Sequence, residues 1–316
     1  MQYIGVDIGG TKCAITLGNE QGEVLKKIYF ETTTVTETLE HIKESVREVF
    51  ACAQQEVAAI GISCGGPLDS KTGVIMSPPN LPGWDDIHIV DMLKEEFGVP
   101  VFLQNDADAC ALAEWKFGAG QGAKNMIFCT FGTGLGAGLI LNERLYTGTC
   151  DMAGEIGHIR LAEYGPVGYG KAGSFEGFCS GGGIAQIGMS VARELLQQGN
   201  KPSFCETLDE LDNITAKKIA ECAKAGEEDA KEVYRICGKM LGKGLAVLVD
   251  ILNPERIVLG SVFARSRELL VEEMYKVLKR ECLTRALEVC EIVPAGLGES
   301  LGDTAALSVA INGLKS

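Results

Sequence analysis

Residues 3–30, YIGVDIGGTKCAITLGNEQGEVLKKIYF, contain two apolar runs on either side of a Gly-Gly-Thr corner. The first run predicts a buried strand that ends at Asp7, and the apolar residues after Thr11 predict a second strand. The polar stretch NEQGE is typical of a hairpin turn and leads into a third strand. The segment therefore predicts three consecutive strands, with a glycine corner directly after the first.

The rest of the first half alternates helices with strands. Apolar residues recur at helical spacing from Leu39 to Ala53, and VAAIGIS (57–63) follows as a buried strand. The helix IVDMLKEEF, the strand VFLQ and a helix that begins at Asn105-Asp106 come next. This alternation predicts a layered α/β fold.

The strand, corner and strand return in residues 125–148, NMIFCTFGTGLGAGLILNERLYTG. There the corner at 132–134 takes the place of the corner at 9–11. We interpret the repeat as two related domains that face each other across a cleft, each with a glycine corner. A chance similarity of two glycine-rich hairpins is the alternative. After residue 183 helices dominate, interrupted by the strands RIVLG and EVCEIVPA, and the chain ends in a helical segment.

The composition narrows the class of protein. With 316 residues and 46% hydrophobic content, the chain is long enough for two domains. No apolar run is long enough to cross a bilayer, and no signal-peptide pattern opens the sequence, so we expect a cytoplasmic protein without a membrane partner. The formal net charge of −14 argues against a nucleic-acid partner. It does not argue against a phosphorylated ligand, because backbone N–H groups hold phosphate without net positive charge.

Each glycine corner suits a phosphate site. In VDIGGTK the glycines let the backbone approach a ligand closely, and Thr11 adds a hydroxyl. A nucleotide's terminal phosphates with Mg²⁺ would give Asp7 the partner that an ionisable group at the end of a buried strand needs. The second corner, in FGTGLGAGLI, repeats this chemistry. Neither motif is a P-loop or a Rossmann fingerprint, and tight turns without a ligand remain the alternative.

The segment LQNDADA places Asn105 and Asp106 where a strand passes into a helix. Asp is a good helix N-cap, so capping is one interpretation. The other is a carboxylate that accepts the proton of a hydroxyl during phosphoryl transfer. Both interpretations remain open at this point.

A third group of polar residues follows the second corner. AGEIGHIRL carries Glu155 and His158 three residues apart, and GSFEG carries Glu176. Carboxylates and an imidazole can exchange hydrogen bonds with adjacent sugar hydroxyls. A structural His–Glu pair on a helix is the alternative.

Taken together, these motifs resemble the ROK family (repressors, open reading frames, sugar kinases) over essentially the whole chain. The matching segments are GVDIGGTK, GISCGGPLD, SPPNLPGW, QNDADACALAE, GTGLGAGLI and AGEIGHI, in family order. The resemblance implies an α/β fold of two actin-like, RNase H-like ATPase domains facing across a cleft. We accordingly assign 1–118, plus a C-terminal helix at about 303–316, to a small domain and 119–302 to a large one.

The resemblance also implies a site, with Asp106 as the catalytic base. The residues expected to bind the sugar are Gly66, Asn80, Asn105, Asp106, Glu155, His158 and Glu176. Those expected to bind the nucleotide are Asp7, Gly9, Gly10, Thr11, Lys12, Gly132, Thr133, Gly134 and Gly260. The expected cofactors are ATP and Mg²⁺.

Zinc is where the chain departs from many relatives. In those relatives a C-x-C-G-x-x-G-C-x-E motif and a histidine bind structural zinc. Here Val167, Tyr169 and Ser174 stand at the three cysteine positions, and zinc sites need four good ligands. The twelve cysteines are scattered without a C-x-x-C pair, which indicates reduced core thiols. We therefore expect no zinc and no metal-ligating residues, and a metal analysis that found one zinc per chain would contradict this.

The implied activity is ATP-dependent phosphorylation of a hexose at O6 of a glucose-like aldohexose. Alternative substrates are N-acetylhexosamines (N-acetylmannosamine or N-acetylglucosamine), fructose and β-glucosides, because the sequence does not show the pocket near the 2-position. A sugar-sensing regulator without catalysis is the alternative outside the enzymes. A repressor of this family needs a helix-turn-helix ahead of a first strand that here begins near residue 2, and both corners and Asp106 favour catalysis. The expected partners are sugar and ATP, and the resemblance suggests a homodimer.

Overall fold

A computed structural model describes residues 1–315, which form two compact units. The first unit contains Met1–Phe128, Gly138–Gly154 and the chain from Gly296 onward; the second contains Cys129–Ala137 and Glu155–Ala295. These units group residues by proximity, so the domain boundaries expected from the sequence stay a prediction. No helix among residues 1–315 is long and apolar enough to cross a membrane.

The first unit begins with the three strands that its opening segment predicts. Its strands up to residue 105 are β1 (Gln2–Ile8), β2 (Lys12–Asn19), β3 (Val24–Glu31), β4 (Val57–Cys64), β5 (Leu68–Asp69), β6 (Val74–Ile75) and β7 (Val101–Asn105). Its helices in this part are α1 (Val35–Ala51), α2 (Ile89–Phe97) and α3 (Asp106–Phe117). The main sheet has the order β3-β2-β1-β4-β7, in which β2 is antiparallel to both neighbours and β1, β4 and β7 are parallel.

Five of the remaining strands repeat this arrangement. The remaining strands are β8 (Met126–Cys129), β9 (Ala137–Leu141), β10 (Arg144–Leu145), β11 (Val167–Gly168), β12 (Lys171–Ala172), β13 (Arg256–Leu259) and β14 (Glu291–Pro294). The helices are α4 (Phe175–Phe178), α5 (Gly181–Gln197), α6 (Ala216–Ala225), α7 (Glu228–Leu252), α8 (Ser261–Glu281), α9 (Thr284–Glu288) and α10 (Leu301–Gly313). A second sheet has the order β10-β9-β8-β13-β14, so the third, second, first, fourth and fifth strands again lie side by side. The shared order agrees with the sequence repeat and confirms the mixed α/β fold.

The core of the first unit follows from alternation along β1. Successive side chains of a strand point to opposite faces of the sheet. Ile4 and Val6 are buried with the apolar stripe of α1, whereas Tyr3 is buried against Leu307 of α10. Gly61 of β4 also faces α10, where a Cβ would clash with the Ala306 carbonyl. This glycine therefore lets helix and sheet approach at backbone contact.

Some element boundaries differ from those predicted. The first helix starts at Val35 rather than Leu39, because the Thr34 hydroxyl caps it by accepting the Glu37 N–H. The strand expected over EVCEIVPA begins only at Glu291, since α9 runs through Glu288 and its C-cap, Val289, still has a helical backbone. The C-terminal helix ends at Gly313, and residue 316, its predicted end, lies outside the described residues.

Candidate functional site

The first glycine corner is a turn closed by backbone hydrogen bonds. The Gly9 N–H donates to the Lys12 carbonyl at 3.1 Å. The Thr32 hydroxyl donates to the Gly9 carbonyl at 2.6 Å, and its N–H donates to the Thr11 carbonyl at 3.0 Å. Thr11 and Lys12 are exposed, so both side chains are open to a ligand.

Asp7 lies at the carboxyl end of β1, directly before this corner. Burial raises the pKa of its carboxyl to about 6, the Ser63 hydroxyl on the neighbouring strand opposes the shift, and the charges of Asp106 and Asp303 add to it. Lys27 lowers the pKa again, and its ammonium pairs with the Asp303 carboxylate at 2.7 Å. Three carboxyls and one ammonium thus share one electrostatic environment in the first unit.

In the first unit, four of the predicted site residues lie close together in two pairs, although the members of each pair are far apart in sequence. A Cβ on Gly10 would clash with the Asn80 carbonyl, so corner and SPPN segment are in backbone contact. A Cβ on Gly66 would lie 3.1 Å from the Asn105 amide nitrogen. The structure therefore brings Gly10 to Asn80 and Gly66 to Asn105, next to Asp106.

The N-cap of α3 is Asn105 and not Asp106. The Asn105 side-chain oxygen, Oδ1, accepts the Ala107 N–H at 2.9 Å, and Asp106 is the first helical residue. Asp106 Oδ1 also accepts this N–H, at 2.7 Å. Because Asn105 supplies a cap by itself, capping does not require an aspartate at 106.

Asp106 is exposed as a residue, but the protein around its carboxyl displaces enough water to affect its protonation. Burial raises the pKa of this carboxyl above its ordinary value, and the Ala107 N–H opposes the shift. A carboxylate with a raised pKa is a stronger base. The group can therefore accept a proton better than an ordinary surface aspartate.

The second corner leaves backbone donors open. The Gly132 N–H donates to the Gly134 carbonyl at 3.0 Å, and the Gly136 N–H donates to the Thr130 hydroxyl at 2.9 Å. Within residues 1–315, the N–H groups of Thr133 and Gly134 donate to no acceptor. Consecutive open N–H groups in a turn form a concavity that suits an anion.

Glu176 lies against this corner. Its Oε2 accepts the Leu135 N–H at 3.0 Å and would lie 2.9 Å from a Cβ on Gly134. Its other oxygen, Oε1, accepts no hydrogen bond within the described part of the chain. Glu176 therefore stabilises the corner through Oε2. That Oε1 binds a sugar hydroxyl stays a prediction.

Glu155 and His158 are both exposed, and they do not lie on an α-helix. Glu155 is the N-cap of a single 3₁₀ turn, Ile156–His158, and His158 is its last residue. The edge of the His158 ring meets the Tyr169 ring at a centroid distance of 6.4 Å, and the His158 carbonyl accepts a hydrogen bond from the Lys171 ammonium at 2.7 Å. The segment that was considered as a helix is thus only this short turn.

The loop that holds zinc in many relatives is a β-hairpin here, formed by β11 and β12. Val167 lies in the hairpin, Tyr169 is at its turn, and buried Ser174 caps α4 by accepting the Gly177 N–H at 3.1 Å. The Gln186 amide binds the Val167 backbone twice, at 2.8 and 2.9 Å. Residues 1–315 contain no group of three or more His, Cys, Asp or Glu that could hold a metal ion. The expected absence of zinc stays a prediction, which metal analysis tests.

Gly260 is the N-cap of α8 and packs on the second corner. Its N–H donates to the Cys129 carbonyl at 2.8 Å, and a Cβ there would lie 2.6 Å from the Thr130 carbonyl. The position needs glycine for this close approach. A contact with the nucleotide stays a prediction.

The sequence analysis missed Ser63, Asp303 and Gln186. Ser63 reaches Asp7 only because β1 and β4 pair in a particular register. Asp303 reaches it because α10 begins beside the carboxyl end of β1: a Cβ on Gly302 would lie 3.7 Å from Asp7 Oδ2. The motif GESLGD was visible in the sequence, but nothing local connects it to Asp7.

Known proteins resemble this chain over its length. The model of the ROK family matches residues 3–312. A glucokinase of Halalkalibacterium halodurans is 32% identical over 308 residues, which make up 95% of this chain and 92% of that protein. The crystal structure of a ROK family glucokinase from Streptomyces griseus in complex with glucose and AMPPNP is 30% identical, has a TM-score of 0.76, and covers 99% of this chain and 100% of its own. A xylose repressor of Caldicellulosiruptor bescii is 29% identical over 288 residues, 88% of this chain and 70% of the repressor.

Proposed function

Because the chain belongs to the ROK family, we propose that it transfers the γ-phosphoryl group of ATP to O6 of a glucose-like aldohexose, with Asp106 as general base. The broader conclusion, that the chain is an ATP-dependent sugar kinase, rests on its relatives. They include glucokinases that are 32% identical to it and a ROK glucokinase solved with glucose and AMPPNP. It has the two-domain, actin-like α/β fold of the ROK kinases.

The observation that carries the proposal is the Asp106 carboxyl, which burial makes more basic and which Asn105 relieves of the capping role. In the proposed step, Asp106 accepts the proton of the sugar hydroxyl as its oxygen attacks the γ-phosphorus. The bond between the γ-phosphorus and the bridging oxygen breaks, and ADP leaves with that oxygen. Asp106 then returns the proton to solvent.

We assign sugar binding to the residues that the sequence predicts for it. In the first unit, contacts support this assignment. They bring together the loop that carries Gly66, the segment that ends at Asn80, and the start of α3 with Asn105 and Asp106. In the second unit, the exposed Glu155 and His158 and the free oxygen of Glu176 are suited to sugar hydroxyls.

The nucleotide is assigned to the two glycine corners and Gly260. The exposed Thr11 and Lys12 and the open N–H groups of Thr133 and Gly134 offer donors to phosphate oxygens. Asp7 suits Mg²⁺, since its carboxyl lies among other carboxyls with an excess of negative charge and Mg²⁺ is commonly bound through one or two carboxylates together with phosphates and water. When bound, the cation would neutralise phosphate charge.

An ADP-release assay over a panel of sugars tests the proposal. The panel contains glucose, N-acetylmannosamine, N-acetylglucosamine, fructose and a β-glucoside, and we expect the highest kcat/KM for glucose, with NMR of the product showing a 6-phosphate. A higher kcat/KM for another sugar would replace glucose as the substrate. Sugar binding without ADP release from any of them would favour a regulator, the role that the xylose repressor's name describes for that relative.

Glu155→Ala should raise the KM for the sugar about tenfold or more and change kcat much less. The reason is that a charged hydrogen bond to a hydroxyl is worth about 1.5–3 kcal/mol, and Glu155 is assigned to binding rather than to proton transfer. The matched control is Glu163→Ala, an exposed carboxylate close by in sequence. A KM for the sugar equal to that of the control would remove Glu155 from the sugar site.

The cytoplasmic location and the homodimer expected from the sequence remain part of this proposal. Family resemblance supports the homodimer. Light scattering of the purified chain tests the dimer, which a mass of one chain, 33.7 kDa, would contradict.

A further inference from the structure

The side chain of Gln104 in the first unit carries a buried polar atom without a hydrogen bond to the described residues. Gln104 is the penultimate residue of β7, two positions before Asp106, and its side-chain carbonyl oxygen, Oε1, is buried without a hydrogen bond to any atom of residues 1–315. A buried acceptor that lacks a donor is unfavourable, so native proteins usually satisfy it with protein, water or a ligand. Within that part of the chain, this oxygen therefore lacks the donor that a buried acceptor usually has.

Strand register shows what lies beside Gln104. Asp7 of β1 pairs with Ser63 of β4, and Ser63 pairs with Gln104 of β7. Residues paired across adjacent strands have side chains on one face of the sheet. Asp7, Ser63 and Gln104 thus form one polar row across the carboxyl ends of three parallel strands.

The row faces the beginning of α10. Tyr3 and Ala59, which precede Asp7 and Ser63 by four residues and so share their face, are buried against Leu307 of this helix. The row itself lies nearer the start of α10, since a Cβ on Gly302 would lie 3.7 Å from Asp7 Oδ2. It is therefore at the end of the sheet that also carries the first glycine corner.

Charge around the row is unbalanced. Asp7, Asp106 and Asp303 contribute three carboxyls, and Lys27 contributes the one ammonium that acts on Asp7 among the charged groups of the described residues. The same excess acts on Cys64 at the end of β4, whose thiol pKa is raised by burial and by the charges of Asp106 and Asp7. A cation at this place would correct the imbalance.

We propose that Gln104 Oε1 accepts a hydrogen bond from a water molecule carried by the divalent cation of the bound nucleotide, which makes Gln104 a positioning residue for that cation beside Asp7. The inference rests on the proposed function, in which Asp7 is assigned to MgATP. Mg²⁺ keeps several of its waters in proteins, and a metal-bound water is a good hydrogen-bond donor. One hydrated cation would donate a hydrogen bond to Gln104 Oε1 through its water, and its charge would offset that of the surrounding carboxylates.

The test measures binding of Mn²⁺ with ADP, followed by the EPR signal of free Mn²⁺, and binding of ADP alone in EDTA, followed by calorimetry. Gln104→Leu removes the acceptor and keeps the approximate size of the side chain. We expect the Mn²⁺ affinity of the ADP complex to fall about tenfold, as losses of outer-shell metal partners do, with metal-free ADP affinity unchanged. Gln104→Glu keeps an acceptor and should restore Mn²⁺ affinity, and Gln55→Leu, in an exposed loop, is the matched control.

Each other outcome contradicts the inference. Equal Mn²⁺ affinity in Gln104→Leu and wild type would remove the contact with the hydrated cation. A matching loss of metal-free ADP binding, or a higher KM for the sugar with normal Mn²⁺ affinity, would assign Gln104 to the nucleotide or the sugar instead. If the wild type itself bound ADP no better with Mn²⁺ than without, the metal part of the proposed function would fail, which is a separate result.

Discussion

Asp106→Asn lowers kcat by about 10²–10⁴-fold while the KM for the sugar stays close to that of the wild type. Asparagine has the size of aspartate, and its carbonyl oxygen can still accept the Ala107 N–H that Asp106 Oδ1 accepts. It cannot accept the proton of the attacking hydroxyl. The loss should therefore fall on the chemical step, measured as kcat in the coupled ADP-release assay.

The pH dependence of kcat gives the same prediction a second readout. Because burial raises the pKa of Asp106, the wild-type kcat should fall as the pH is lowered through that raised value, where the base becomes protonated. The residual rate of Asp106→Asn should lack this decrease. Asp212→Asn, at an exposed position, is the matched control and should behave as the wild type. A kcat for Asp106→Asn equal to that of the control would exclude Asp106 as the base.

Glu114→Ala should lower the free energy of unfolding of the first unit by about 3 kcal/mol. Glu114 lies at the other end of α3, and its residue is fully buried. Its Oε2 accepts the N–H groups of Ala119, at 2.7 Å, and Gly296, at 3.0 Å, and its Oε1 accepts that of Leu297 at 2.9 Å. One carboxylate thus joins the end of α3 to the segment where the chain re-enters the first unit.

The size of this effect follows from the three donors. Alanine leaves all three N–H groups without their acceptor, and each hydrogen bond to a charged group is worth about 1.5–3 kcal/mol. Water recovers part of this, because the bonds are only partly buried. The expected net loss is therefore smaller than the sum.

Urea unfolding followed by tryptophan fluorescence measures this loss. Both tryptophans of the chain, Trp84 and Trp115, belong to the first unit, so the signal reports the unit that contains Glu114. Glu44→Ala, an exposed helical position of the same unit, should change stability by no more than about 0.5 kcal/mol. An effect of Glu114→Ala as small as that of the control would mean that water replaces the carboxylate at no cost.

Local pattern was enough to predict the strands and glycine corners. Alternation and apolar runs predicted β1 and β4, and the return of the corner at residues 132–134 predicted a second unit of strand, corner and strand. The strand order that the two sheets share was found only in the structure. The signals worked because strand formation and tight turns depend on residues close together in sequence. Boundaries set by a single cap, such as Thr34 of α1, were harder to place.

Asp7 and Asp106 were foreseen because their own chemistry fits a role in phosphoryl transfer. Ser63, Gln104 and Glu114 also lie in matching segments, but nothing local in the sequence gives them a role. Gln104 becomes notable because register aligns it with Asp7 through Ser63. Glu114 becomes notable because its three partners include residues more than 180 positions away.

The two interpretations of Asp106, helix cap and catalytic base, show what local sequence determines and what only tertiary structure determines. The motif QNDADA put two capping residues next to each other, and one-dimensional pattern could not say which of them caps α3. Backbone geometry assigned the cap to Asn105, and the protein around the Asp106 carboxyl raised its pKa. Local sequence thus determined that a polar pair begins the helix, because caps and turns depend on neighbouring residues. The pKa of Asp106 and the neighbours of Asp7 were decided by tertiary structure, because desolvation and charge depend on groups that only folding brings close.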